Sequence, residues 1–115
     1  MNHVDPRQHL QDALDSIQQI QQYFEGKKPV DLEENDMLFD AIVMRLQVIG
    51  EAVKKLPKHM HEQYPQIPWR EIIALRNYIS HAYSFLDASR FYSIIVDELP
   101  KLEKVLRELF AQSDQ

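Results

Sequence analysis

The sequence predicts an all-α fold of four to five helices, and three observations carry that reading. Apolar residues recur at spacings of three and four along most of the chain, no stretch alternates polar and apolar residues for the length of a strand, and only 2 glycines interrupt 115 residues. The length and a hydrophobic share of 44% describe one compact domain, residues 1–115, with a single core that a partner subunit could extend.

Each helix has its own justification. Leu10, Leu14, Ile17, Gln21 and Phe24 fall on one stripe of a first helix over about residues 5–25, which Gly26 and Pro29 close. Asp31 with Glu34 three residues later resembles a capping box and is expected to open a second helix that reaches Leu56, where Pro57 breaks it. In this helix Leu38, Ile42, Leu46, Ile49, Val53 and Leu56 form one stripe, and Met37, Ala41, Met44, Val48 and Ala52 form another beside it. Asp40, Gln47, Glu51 and Lys54 fill the narrow polar strip that remains, so the helix is expected to be covered on more than one side, by neighbours in the bundle or by another subunit. Gly50 within it costs about 1 kcal/mol relative to alanine, which the close approach of a neighbouring backbone would explain. KHMHEQYPQIP reads as a short helix and then a loop bracketed by Pro65 and Pro68. A fourth helix runs from Pro68 or Trp69 to about Ser84. Asp87 caps the last, whose stripe of Phe91, Ile94, Ile95, Leu99, Leu102, Val105, Leu106 and Leu109 continues past Pro100 and so predicts a kink there rather than a stop.

Composition excludes several function classes. With no Cys there is no disulfide scaffold, thiolate zinc site or cysteine nucleophile. The start MNHVDPRQHL lacks the character of a signal peptide and no apolar run reaches membrane length, so a soluble, cytoplasmic protein is expected. A formal charge of −5, from 13 Lys plus Arg against 18 Asp plus Glu, excludes nucleic-acid binding by bulk electrostatics and leaves only a local basic surface. The cations available for it sit mostly in the middle of the chain, at Lys54, Lys55, Lys58, Arg70 and Arg76, and solvated surface is their ordinary reading. His59 and His61 stand two apart with no carboxylate or Cys cluster beside them and read as surface histidines, as do His3 and His9 near the N-terminus; no metal site is assigned. Trp69 reads as a core residue at a helix start, and Tyr64 and Phe85 as packing.

The fourth helix carries the chemistry. On a wheel at about 100° per residue, Tyr83, Arg76, Ser80, Ser84, Asn77 and His81 occupy one arc of about 160°, with Ile73 alone apolar among them. Solvated helix faces ordinarily carry Glu and Lys. Here the positions four residues from Arg76 hold Ile72 and Ser80, so the guanidinium has no carboxylate partner within the helix, and an anionic ligand would complete it. A purely structural bundle leaves this arc unexplained.

R-N-Y-I-S-H-A-Y, that is R-x4-H-x-Y, together with LQVIGEAVKKLP, YPQIPWREI and VDELPKLEKVL, resembles the HepT toxins of the HEPN superfamily over roughly residues 37–107. The resemblance implies a HEPN-type up-and-down helical bundle that dimerises, so that two R-x4-H motifs line one cleft. It also implies a metal-independent ribonuclease without a cofactor, acting on RNA and paired with an MNT nucleotidyltransferase antitoxin. Arg76 and His81 are then the catalytic pair, with Asn77, Ser80 and Tyr83 supporting or binding RNA. The residue types suit the task. Imidazole can serve as acid or base near neutrality, and the guanidinium fork matches phosphate oxygens. Asn77, four residues before His81, can hold the ring or the ligand, or can be a helix-surface amide. Tyr83 is either a packed interface residue or a phenol facing the cleft, and the resemblance adds a third role, acceptor of AMP from the antitoxin. A competing reading is a non-catalytic helical module that binds a nucleotide or docks onto a nucleotidyltransferase with the same face.

Overall fold

The computed structural model describes residues 5–81 and 88–113; for 76–81 and 88 it describes the backbone alone. Helix α1 spans Pro6–Phe24. The Asp5 carboxylate accepts from the Arg7 amide at 3.0 Å, Pro6 occupies the first turn where no amide partner is needed, and Gly26 ends the segment at φ 74.

The predicted second helix is in fact two. A short α2, Pro29–Glu34, precedes α3, Asp36–Lys54. Asp31 lies inside α2, where its carboxylate accepts from the Lys28 amide at 2.7 Å, whereas Asn35, in extended conformation, caps α3 by accepting from the Leu38 amide at 3.0 Å. The Asp31 carboxylate closes the capping box of α2 from its third position, with Lys28 as the cap, and the residue that opens the long helix is Asn35, four residues further on. Pro57 then starts α4, Lys58–Gln63, followed by the loop around Pro65 and Pro68 and by α5, Trp69–His81. Asp87, the expected cap of the last helix, lies outside the described residues, as do Tyr83, Ser84 and Phe85.

Beyond Pro100 the helix continues, as its apolar pattern requires. Helix α6, Ala88–Ser93, passes through a π-helical turn, Ile94–Glu98, into α7, Leu99–Gln112. The Leu99 amide reaches back to the Ile94 carbonyl, a wider turn placed where the proline ring would otherwise crowd the preceding carbonyls.

Helix α3 is central, packing against α1 on one side and α5 on the other, while α7 lies against α1 and α2 lies against α6. Its first stripe is the core: Ile42, Ile49 and Val53 are fully buried and Leu46 nearly so, meeting Leu10, Ile17 and Ile20 of α1 and Leu102, Leu106 and Leu109 of α7 in one cluster. Gly50 is buried on the same helix. Phe39 and Phe91 meet edge to face at 4.8 Å, and Phe24 and Tyr92 at 5.7 Å, which returns α6 to the bundle beside α3 and α1. The second stripe is less covered than expected. Ala52 is buried and Ala41 and Val48 are half-buried, but Met37 and Met44 are 84% and 62% exposed.

The cap assignment has a direct consequence. Replacing Asn35 by alanine removes the α3 cap and should lower stability by about 1 kcal/mol, read as an earlier urea midpoint with an unchanged slope.

Candidate active site

Helix α5 is fixed at its N-terminus by a knot of side chains. The Trp69 indole, buried at 9% exposure, donates to the carbonyls of both His61 and Tyr64 at 3.0 Å. Its ring stacks on the His61 imidazole, with centroids 4.6 Å apart and planes 16° from parallel. Nε2 of His61 lies 2.8 Å from the Val53 carbonyl. These contacts join the end of α3, the whole of α4 and the start of α5. His61 is thus half-buried and structural rather than a surface histidine, whereas His59 is exposed. Sequence could have hinted at this through the eight-residue spacing of Val53, His61 and Trp69, but a helix break at Pro57 lies between the first two and conceals it. Among the described residues no group of three His, Asp or Glu could hold a metal ion.

From this fixed start, Ile72 and Leu75 are buried against the core, Ile73 and Ala74 are half-buried, and Arg70 and Glu71 are exposed. The backbone carries Arg76, Asn77, Ser80 and His81 on the last turns of α5, with His81 its final residue. In an α-helix the five-residue step from position 76 to 81 is about 7.5 Å along the axis, and positions 77 and 81 are neighbours one turn apart. One helix thus brings these four positions together, and Tyr83 lies outside the described residues.

A cleft of about 400 Å³ opens between the 64–68 loop, α5 and α7. Ile67, Ile72, Leu102 and Val105 give it apolar walls, and Glu98, Lys101, Lys104, Glu108 and the Tyr64 phenol its polar rim. Its α5 wall, Ile72, stands one turn before Arg76. Its described lining offers neither an imidazole nor a guanidinium. Partial burial and the adjacent Glu108 carboxylate raise the Tyr64 phenol above its ordinary value.

Fold and motif placement define the class: a helical bundle that presents R-x4-H at the end of one helix. The comparisons give the family. Residues 13–109 match the family described as ribonuclease HepT-like, and the chain belongs to it. It is 33% identical over 104 residues to a candidate RNase of Caldanaerobacter subterraneus subsp. tengcongensis, covering 90% of this chain and 93% of that protein. To a probable ribonuclease HepT of Thermococcus cleftensis it is 28% identical over 108 residues, covering 90% and 94%. A protein of Methanocaldococcus jannaschii, named as a gamma-glutamylcyclotransferase and candidate RNase, is 30% identical over 111 residues; these cover 96% of this chain, which spans 50% of that longer protein. No solved structure matches the chain.

The rim of the cleft makes a pH prediction. The Tyr64 phenol should ionise later than a free tyrosine in an ultraviolet titration, and Glu108→Gln should bring its midpoint back toward the ordinary value near 10. Because the folded state holds this proton more tightly than the unfolded chain does, the stability it contributes is complete below pH of about 10 and declines above it.

Proposed function

We propose that this chain is the ribonuclease toxin of a HepT/MNT toxin–antitoxin pair, cutting RNA in the cytoplasm without a metal, at a site that Arg76 and His81 of two protomers form together. The observation that carries the reading is membership of the ribonuclease HepT-like family combined with R-N-Y-I-S-H at the end of α5, next to a buried anchor at Leu75.

The chemistry balances with residues of this chain alone. The ribose 2′-oxygen attacks the adjacent phosphorus, the bond to the 5′-oxygen breaks, and a 2′,3′-cyclic phosphate and a 5′-hydroxyl result. One neutral His81 imidazole takes the 2′-proton, and the protonated His81 of the second protomer delivers a proton to the leaving oxygen. Arg76 holds the non-bridging oxygens as charge accumulates on them. Asn77, one turn before His81, orients the imidazole or the ligand, and Ser80 offers a hydroxyl on the same arc.

Exposure of Met37 and Met44, with half-buried Ala41 and Val48 between and beyond them, supports the dimer: it leaves an apolar stripe on α3 that a second copy would cover. Regulation follows from the same helix. In the proposed inactivation the Tyr83 phenol oxygen attacks the α-phosphorus of ATP held by the nucleotidyltransferase and pyrophosphate leaves. The phosphate now attached to Tyr83 competes with RNA phosphate for Arg76.

Arg76→Ala and His81→Ala should each reduce cleavage of single-stranded RNA at least about 100-fold with the thermal unfolding curve unchanged, and EDTA should leave the wild-type rate as it was. Met44→Glu should convert a sedimenting dimer to monomer and remove cleavage with it. Restoration of activity in a chelated sample by added Mg²⁺ would rule out the metal-free assignment.

Tyr83→Phe separates catalysis from control. The variant should gain no AMP mass when incubated with the nucleotidyltransferase and ATP, and should remain toxic in the presence of that partner. AMP addition to the Phe variant would move the acceptor elsewhere.

A further inference from the structure

The cations in the middle of the chain gather at one end of the bundle. Lys54 and Lys55 close α3, Lys58 opens α4 and Arg70 is the second residue of α5. The Trp69–His61–Val53 knot holds those three helix ends against one another. All four side chains are exposed. Residues 51–71 set these four cations against Glu51, Glu62 and Glu71, a local balance of +1 in a chain whose formal charge is −5, and Lys55 shares a groove with Asp12 and Glu51. On α6 and α7 the arginines are paired, Arg90 with Glu98 at 2.6 Å and Arg107 with Glu103 at 2.9 Å. Lys54, Lys55, Lys58 and Arg70 form no ion pair among the described residues.

Their relation to α5 gives this patch a direction. Arg70 precedes Asn77 by seven residues and His81 by eleven, the repeat that places positions 70, 77 and 81 in one angular sector of the helix. Along the axis, 70 and 81 are about 16 Å apart, the reach of a few nucleotides of extended strand. The three lysines stand on the ends of α3 and α4 that the contacts among Val53, His61 and Trp69 hold against the start of α5.

We infer that Lys54, Lys55, Lys58 and Arg70 form a track for the RNA backbone, binding phosphates a few nucleotides from the bond that is cut and feeding the strand along α5 to Arg76 and His81. The inference rests on the ribonuclease reading and adds to it the surface that holds the substrate. Chemistry favours a polyanionic strand over a protein partner. Lysine is depleted from protein interfaces, which are built around aromatic and apolar anchors, whereas exposed, hydrated ammonium groups without apolar neighbours are the usual contacts to phosphates. The placement also answers how a chain of net negative charge holds RNA: the field that matters is local, and the acidic residues lie largely elsewhere.

The test uses a fluorescent single-stranded 2′-O-methyl RNA of mixed sequence, about 20 nucleotides long, which cannot be cut through its 2′-oxygen, so the intact wild-type protein serves. Binding is followed by anisotropy across a salt series. The quadruple variant Lys54→Gln, Lys55→Gln, Lys58→Gln, Arg70→Gln should lower the slope of log affinity against log salt by about 3, at about 0.7 per charge. The charge-preserving variant Lys54→Arg, Lys55→Arg, Lys58→Arg should retain the wild-type slope. Lys101→Gln with Lys104→Gln, which removes charge from α7, should also leave it unchanged. An unaltered slope in the quadruple variant of a protein that still cuts ordinary RNA overturns the track while leaving the ribonuclease reading intact. A wild-type protein that neither cuts ordinary RNA nor binds the methylated strand overturns that reading and the track together. A quadruple variant that binds RNA as the wild type does but no longer co-sediments with the nucleotidyltransferase assigns the patch to a protein interface and overturns the track as well.

Discussion

The position of α5 depends on one indole. Trp69 satisfies two loop carbonyls at once, and its ring lies flat on an imidazole that itself reaches the last turn of α3. A short helix such as α4, six residues long, has little stability of its own. It is held because its carbonyl and its His61 ring are both partners in the knot. Removing the indole would leave two partly buried carbonyls without a donor, at about 1–3 kcal/mol each, and would free the start of α5 to shift. Since the motif positions are counted along α5 from that start, their placement is inherited from Trp69 rather than fixed by the motif residues themselves.

Helix α3 supplies the second constraint. Its fully buried stripe joins α1 to α5, so the helix is committed on two sides, yet Met37 and Met44 remain in solvent. The sequence pattern that demands cover on more than one side is therefore only partly answered within one copy. Methionine is flexible and adapts to an irregular surface at small cost.

How much of this was legible follows from the range of the interactions. The helical stripes of α1, α3 and α7 could be read because burial on one face imposes a period of 3.6 residues, and each predicted core residue of α3's first stripe is buried. Pro57 and Pro68 marked their boundaries because a missing amide acts locally. Asn35 was missed because a neighbouring Asp31–Glu34 pair offered an equally local signal. His61 was missed for the opposite reason: its partners are eight residues away on either side, across a helix break, and no local pattern encodes a stacked imidazole. The π-helical turn before Pro100 shows the same limit, since the apolar stripe survives it and periodicity registers the continuation but not its widened turn. Of the site, the sequence supplied the helix and the order of Arg76, Asn77, Ser80 and His81 along it. The side-chain contacts of these residues lie outside the described structure, as does Tyr83.

Charge is unevenly distributed along the fold, and the unevenness separates structure from binding. On α6, the π turn and α7, arginines meet carboxylates four to eight residues away, and Glu103 also accepts from Gln21 of α1, so ionic groups there serve local contacts. Exposed pairs of this kind contribute at most about 1 kcal/mol, and their role is to leave little net field on that face. Where α3, α4 and α5 meet, Lys54, Lys55, Lys58 and Arg70 form no ion pair among the described residues beside the indole, imidazole and carbonyls of the knot. Such an arrangement costs little stability because the ammonium groups stay hydrated, and it leaves the field available to an incoming anion. The packing that fixes α5 and the charges that flank it thus meet without competing: the Trp69 ring is buried against His61, and the four cations stand in solvent.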